Sequence, residues 1–259
     1  MIALERSWET IARRHTCLLG WNFGQAVPAP LEDNGTCCLI QTNVGRFVVT
    51  CEHVWKQYDI FRNDKTGAQL WIALVRSDQA FAPSDGFMLS NPKAIGVNEN
   101  LDLAVFTFDE INHLEAWRFW QFQADTISRT KKEDIVHFLG FPGAGIREGT
   151  PTRTLNYCFS SQTIHDVSYN RFVLHSAPGK IHHADKNGKD TGAFRICGAS
   201  GAPVFKVEPD FHLSLAGIIS NLSSSGLSGK KDYEMSDGDI YVTHACFIQE
   251  NGSDASPIW

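Results

Sequence analysis

"RICGASGAPVF", residues 195–205, crowds Gly198, Ala199, Gly201 and Ala202 around one serine, Ser200, and then runs into apolar residues. Two readings of the stretch compete. Small residues before an apolar run make a tight turn that feeds a strand. The same residues let the backbone bend sharply enough to present a hydroxyl. A serine hydroxyl is a weak nucleophile at neutral pH. It needs a base within hydrogen-bond reach, a third group that fixes the tautomer of that base, and donors placed where an oxyanion develops. The choice therefore depends on whether the rest of the chain supplies a histidine and a carboxylate in suitable settings.

Ten histidines are available. In "FVVTCEHVW", residues 47–55, His53 follows an apolar strand that ends at a corner and opens a new segment. A base at the end of a strand is held by rigid structure yet faces a cleft. In "NENLDLAVFTF", residues 98–108, Asp102 lies between Leu101 and Leu103. A lone acid in such a setting either starts a strand facing solvent or is buried against a partner. Either residue alone has a bland structural reading.

The surroundings are those of an all-β chain. "TCCLIQ", "RFVVT", "QLWIALVR", "GFMLSNPKAIGV" and "LDLAVFTF" are short apolar or alternating runs with turn residues between them. After "DEINHLEAWRFWQFQ", which reads as a helix or as a connector between halves, come "DIVHFLGF", "TLNYCFSSQTIHDV", "NRFVLHS", "APVFKV", "LSLAGIIS" and "DIYVTHACFI". Many short strands without a repeating strand–helix alternation predict a barrel or sandwich. The N-terminal "MIALERSWETIARRH" is spaced as an amphipathic helix that packs on the body. The polar stretch 179–192 is the candidate mobile loop.

At 259 residues the chain is long enough for one large domain or two small lobes with real cores. A net charge of −6 argues against a nucleic-acid platform, which needs a basic stripe. No run is long and apolar enough for a membrane helix, and charges interrupt the N-terminus where a signal peptide would be apolar. The seven cysteines are odd in number and include the adjacent pair Cys37 and Cys38. Without a signal peptide they read as buried thiols in a reducing compartment, the cytoplasm. No CxxC pair occurs, so no metal site is expected, and no cofactor either.

Taken together, the three segments resemble the chymotrypsin/trypsin-like serine protease superfamily, in its non-secreted bacterial form. "VVTCEHVW", "DLAVF" and "GASGAPVF" stand in that family's order of His, Asp and Ser, with a separation of 49 from His53 to Asp102. "HFLGFPG", residues 137–143, is similar to the start of the family's second barrel, and "LAGIISN", residues 215–221, to the strand after the nucleophile. The likeness covers roughly residues 34–245.

The resemblance implies two six-stranded antiparallel β-barrels with a short N-terminal helix and an active site between the barrels. Residues 1–25 would be a helical extension. Residues 26–125 would form the barrel carrying His53 and Asp102, and residues 126–259 the barrel carrying Ser200. By resemblance Ser200 is the nucleophile, His53 the base and Asp102 its orienting partner, with the backbone N–H groups of Gly198 and Ser200 as the oxyanion hole. Phe194, Arg195 and Cys197, the edge Ser220, Asn221 and Leu222, and Asp239 would line the substrate pocket. Asp239 is open to two readings, a charge favouring basic residues or a solvated turn residue, so an apolar or small preference stays open as well.

The implied function is serine endopeptidase action on a protein or peptide. Departures qualify the likeness. Ala199 precedes Ser200 where secreted members place the aspartate that receives a processed N-terminus, so activation by such processing is not expected. Cys51 lies two residues before His53, not after it. A protease confined with its own proteome needs restraint, so latency until a partner or substrate orders the site is expected. Some similar bacterial domains act in defence systems on a partner effector. Two rivals remain: a catalytically dead fold serving as a peptide-binding or scaffolding module, and an α/β-hydrolase, which the helix-poor pattern and Ala202 in place of the last glycine of GxSxG disfavour.

Overall fold

The computed structural model describes residues 2–22, 34–64, 68–74, 86–122, 129–141, 158–176, 181–183, 199–223 and 238–249. Two sheets account for most of them. The first contains β1 (Thr16–Asn22), β2 (Asn34–Gln41), β3 (Arg46–Thr50), β4 (Gln69–Leu74), β5 (Gly86–Met88), β6 (Lys93–Asn98), β7 (Leu103–Thr107) and the two-residue β8 (Trp120–Gln121). Their order is β5-β4-β1-β2-β3-β7-β6, with β8 alongside β2. All these pairings are antiparallel except β2 with β8.

The second sheet contains β9 (Ile135–Gly140), β10 (Cys158–Val167), β11 (Arg171–Ser176), β12 (Ile181–His183), β13 (Pro203–Val207), β14 (Leu213–Ser223) and β15 (Gly238–His244). The order β11-β15-β14-β13-β9-β10 returns on itself, because β10 also pairs with β11. Six strands thus close a barrel, and β12 adds to β10 outside it. The architecture is all-β, a chymotrypsin-like double barrel. Its C-terminal member is the expected six-stranded barrel. Its N-terminal member is a half-barrel whose described edges are β5 and β6.

Packing explains the arrangement. Leu18, Ile40, Val49, Leu103 and Val105 from the first sheet share one core with Leu139, Phe205, Leu215 and Ile218 from the second. Burying that much apolar surface between the sheets locks them face to face. A second core lies on the other side of the first sheet. There Val54, Trp55 and Tyr58 of a helix, α2 (Glu52–Asp64), cover Cys17, Leu39, Val48 and Phe106. A third core, including Phe138, Phe172, Val204 and Ile240, fills the closed barrel.

The N-terminal helix α1 (Ile2–His15) packs as its spacing predicts. Trp8, Ile11 and Ala12 meet the inter-sheet core, and the Trp8 ring lies 4.7 Å from that of His137 on β9. The helix stops at His15, where Thr16 Oγ1 donates to the Ala12 carbonyl at 2.8 Å. Residues 16–22 are a strand of the first sheet, not a continuation of the helical extension expected over 1–25. Cys17, Leu19 and Trp21 alternate with Leu18 toward the two cores on either side of that sheet, which pulls the segment into β structure. The segment 109–121 is the connector: two short 3₁₀ turns, Ile111–His113 and Ala116–Arg118, lead into β8. Of the polar stretch 179–192, Ile181–His183 form β12 and the rest lies outside the described residues.

Candidate active site

The junction of the two sheets gathers three of the sequence-predicted side chains. β3 ends at Thr50, and after Cys51 the chain turns into α2, so His53 sits in that helix's first turn. Asp102 closes the tight turn between β6 and β7. Leu101 N–H donates to Asn98 Oδ1 at 3.0 Å, and Asp102 N–H to the Glu99 carbonyl at 3.3 Å. Asp102 pays for the turn with a left-handed φ of +49°. The second barrel clamps this turn from two sides. Thr243 Oγ1 on β15 donates to the Leu101 carbonyl at 2.5 Å, and Arg171 Nη2 on β11 donates to the Asn100 carbonyl at 3.0 Å.

So held, the Asp102 carboxylate meets His53 twice. Oδ1 accepts the His53 backbone N–H at 3.0 Å, and the ring Nδ1 lies 3.0 Å from Oδ1 and 2.9 Å from Oδ2. A carboxylate against Nδ1 fixes the tautomer with the proton on Nδ1 and the Nε2 lone pair free. The Asp102 side chain is 13% exposed and that of His53 is 40% exposed, so the pair is buried at its carboxylate end and open at its imidazole end.

Ser200 stands in a turn wedged between the sheets. Its carbonyl accepts the Thr36 N–H of β2 at 2.8 Å, Gly201 N–H donates to the Ile219 carbonyl of β14 at 2.8 Å, and Ala202 N–H to the Ala199 carbonyl at 2.9 Å. Only glycine fits at 201. Its φ is +89°, and a Cβ there would lie 1.9 Å from the Thr36 carbonyl oxygen. Thr50 Oγ1 donates to that same carbonyl at 2.8 Å, and Thr36 Oγ1 accepts the Phe141 N–H at 3.1 Å. Ala199 is fully buried, and Gly140 exists to let it in, since a Cβ on Gly140 would come within 2.8 Å of the Ala199 methyl. No carboxylate has room at position 199.

Cys51 joins these parts. Its buried thiol donates to the Ile219 carbonyl at 3.3 Å and makes a polar contact with the Ser200 side chain. Its sulfur, a ring nitrogen of His53 and a carboxylate oxygen of Asp102 all lie within 4.8 Å of one another. Burial, and then the Asp102 charge, push the Cys51 thiol well above its ordinary pKa. Among the described residues no hydrogen bond joins Ser200 to His53. Sequence reasoning missed Cys51 as a member of the cluster; its place two residues before His53 was the one signal. It also missed α2, although Val54, Tyr58 and Phe61 stand at helical spacing.

The remaining predicted residues separate. Ser220 is fully buried at an irregularity in the β14–β15 pairing, its hydroxyl donating to the Tyr241 carbonyl at 3.2 Å. Asn221 and Leu222 pair with Tyr241 and Ile240 of β15. On the other side, β13 starts opposite Ile218, so among the described residues that edge of 221–223 has no strand partner. Asp239 is a strand residue, not a turn residue. It pairs with His175 and Ser223, and its carboxylate lies 3.2 Å from His175 Nδ1. Phe194, Arg195, Cys197 and Gly198 lie outside the described residues.

Fold and site together define a β protein of one closed barrel and one half-barrel, with a carboxylate-held imidazole and a constrained serine turn at their junction. No protein-family model matches the chain, and no curated protein does. Among solved structures it is similar to the crystal structure of Deg5, at 14% identity and a TM-score of 0.47, over 85% of this chain and 87% of that one. No helix of the described residues is long and apolar enough to cross a membrane.

Proposed function

We propose that the protein is a serine endopeptidase that works through Ser200, His53 and Asp102. The observation that supports this reading most is the double attachment of His53 to Asp102, backbone and ring, beside the Ser200 turn. Asp102 keeps the proton on Nδ1, so Nε2 takes the proton of the Ser200 hydroxyl as it attacks a peptide carbonyl. The imidazolium then protonates the leaving amine, and water hydrolyses the acyl-enzyme by the reverse path. The N–H groups of Ser200 and Gly198 hold the oxyanion, as the family likeness implies. The open edge at residues 221–223 offers main-chain pairing to an extended peptide.

Restraint belongs to the proposal. Ala199 is sealed against Gly140, so a processed N-terminus has no carboxylate to receive it there. The Ser200–His53 hydrogen bond forms when substrate or a protein partner seats, consistent with catalytic hydrogen bonds that tighten only in the complex. A single dedicated protein substrate, an effector in a bacterial defence system, and a cytoplasmic setting rest on the family likeness and the cysteine content.

A fluorophosphonate probe tests the central claim. Intact-mass analysis should show one adduct on the wild-type chain, alone or with an unfolded protein substrate, and none on Ser200→Ala. Absence of adduct under both conditions would favour the scaffolding reading, in which the same turn serves only to pair a bound peptide.

A further inference from the structure

The geometry points to a Zn²⁺ site formed by Cys51 Sγ, His53 Nδ1 and Asp102 Oδ2, with water as the fourth ligand, that blocks the base when occupied. This inference rests on the protease reading for its consequence but not for the binding itself. The three residues offer the sulfur, imidazole and carboxylate donors that zinc takes, and the sulfur, one ring nitrogen and one carboxylate oxygen already lie within 4.8 Å of one another. With bonds of about 2.0–2.3 Å, ligand atoms of a tetrahedral zinc stand roughly 3.2–3.8 Å apart. Nδ1 and Oδ2 at 2.9 Å need only a small parting, and the His53 ring, 40% exposed, has space to swing.

The outer contacts are in place too. Asp102 Oδ1 stays on the His53 backbone N–H, which leaves Oδ2 to the metal. The Cys51 thiol gives up its hydrogen bond to the Ile219 carbonyl as its sulfur turns to the metal. The ion enters from the open imidazole end, because Cys51 itself is fully buried. No CxxC spacing announces such a site; a C-x-H pair at the start of α2 meets an aspartate from a distant turn.

The chemistry balances without a further reactant. The thiol releases its proton to solvent as the Zn–S bond forms, and the proton of Nδ1 moves by way of solvent to Nε2 as Nδ1 binds the ion. Nε2 then carries a proton and has no lone pair for the Ser200 hydroxyl. Zinc thus withdraws the base without touching the serine, and a chelator reverses the block.

The test uses the metal alone. Co²⁺ is titrated into the wild-type chain and into Ser200→Ala, and the near-ultraviolet thiolate-to-cobalt absorption is followed, with Zn²⁺ then added to bleach it. The band should appear at one equivalent in both proteins, vanish in Cys51→Ala, and require at least about tenfold more metal in His53→Ala. A wild-type chain with no band, or a band that survives Cys51→Ala because another thiol holds the ion, overturns the site. His53→Ala decides the matter if Cys51→Ala fails to fold. In a parallel arm, Zn²⁺ should stop fluorophosphonate labelling of the wild type and a chelator should restore it. Cobalt binding without any labelling leaves the metal site standing and removes the protease reading; labelling without cobalt binding does the reverse.

Discussion

His53 stands partly in solvent with Nδ1 against the Asp102 carboxylate, whereas His137 is wholly buried between Trp8 and Phe159, with neither ring nitrogen hydrogen-bonded among the described residues. The two side chains are chemically identical, and their surroundings set opposite uses. A carboxylate beside an accessible imidazole fixes its tautomer and orients the ring. Burial without a partner penalises that cation, and it lowers His137 to a pKa of about 4. His137 therefore acts as a flat ring, stacked 5.5 Å from Phe159 at 8° and capped by α1.

The sharpest way to break the comparison is to remove the feature that separates the two rings. Asp102→Asn keeps the shape of the turn but ceases to hold the proton on Nδ1. Its fluorophosphonate labelling rate should fall about 10,000-fold, with little change in melting temperature. His137→Phe should leave labelling unchanged. Equal losses from both variants would show that the Asp102 contact is packing and not chemistry.

A smaller effect, on folding rather than reactivity, should come from Gly201→Ala. The new methyl would sit 1.9 Å from the Thr36 carbonyl oxygen on a backbone at φ +89°. Strain and overpacking should cost about 2–5 kcal/mol, read as a lower urea midpoint at constant m-value. Because Thr36 and Ile219 grip the Ser200 turn from both sheets, labelling should fall along with stability. Wild-type stability and labelling in Gly201→Ala would mean that this turn is not a rigid element.

These contrasts also mark what the sequence could reveal. The places of His53, Asp102 and Ser200 at a strand end and at turns were legible, because each stands in a local pattern of small and apolar residues that a turn or strand end requires. Each expected strand run carries a strand among the described residues. His137 was unreadable as a packing residue, since its neighbours in space are Trp8, far upstream, and Phe159, across a strand pair. Cys51 gave only its nearness to His53 as a signal for the same reason: its contacts, Ile219 and Ser200, come from the other sheet. β1 was hidden because Leu18 and Leu19 stand side by side to serve two different cores, which blurs the alternation. Asp239 stayed open between two readings because "SDGDIY" looks like a turn until β11 and β14 are seen to flank it.

The comparison is sharpened most gently by pH. Two histidines at α1 are held neutral: His137, beneath it, by burial, and His15, its last residue, also lowered to about 4, by burial against the opposing effect of its hydrogen bond to the Arg118 carbonyl. Arg14 and Arg118 add repulsion to a charged His15. In the unfolded chain both bind a proton near pH 6.5. Between pH 6.5 and 4 the unfolded state therefore holds more protons than the native one, and stability rises with pH across that window. The contribution is complete above pH 6.5, erodes as pH falls, and levels off below about 4. At full effect each histidine accounts for at most about 3 kcal/mol. His137→Phe should remove its own part of the loss between pH 7 and pH 4.5, measured as urea midpoints at the two values, leaving the parts of His15 and of His244, which burial also lowers, and should raise stability more at the acid end than at neutrality. A variant whose midpoints fall in parallel with the wild type would mean that His137 is free to charge in place, and that Trp8 and α1 do not seal it.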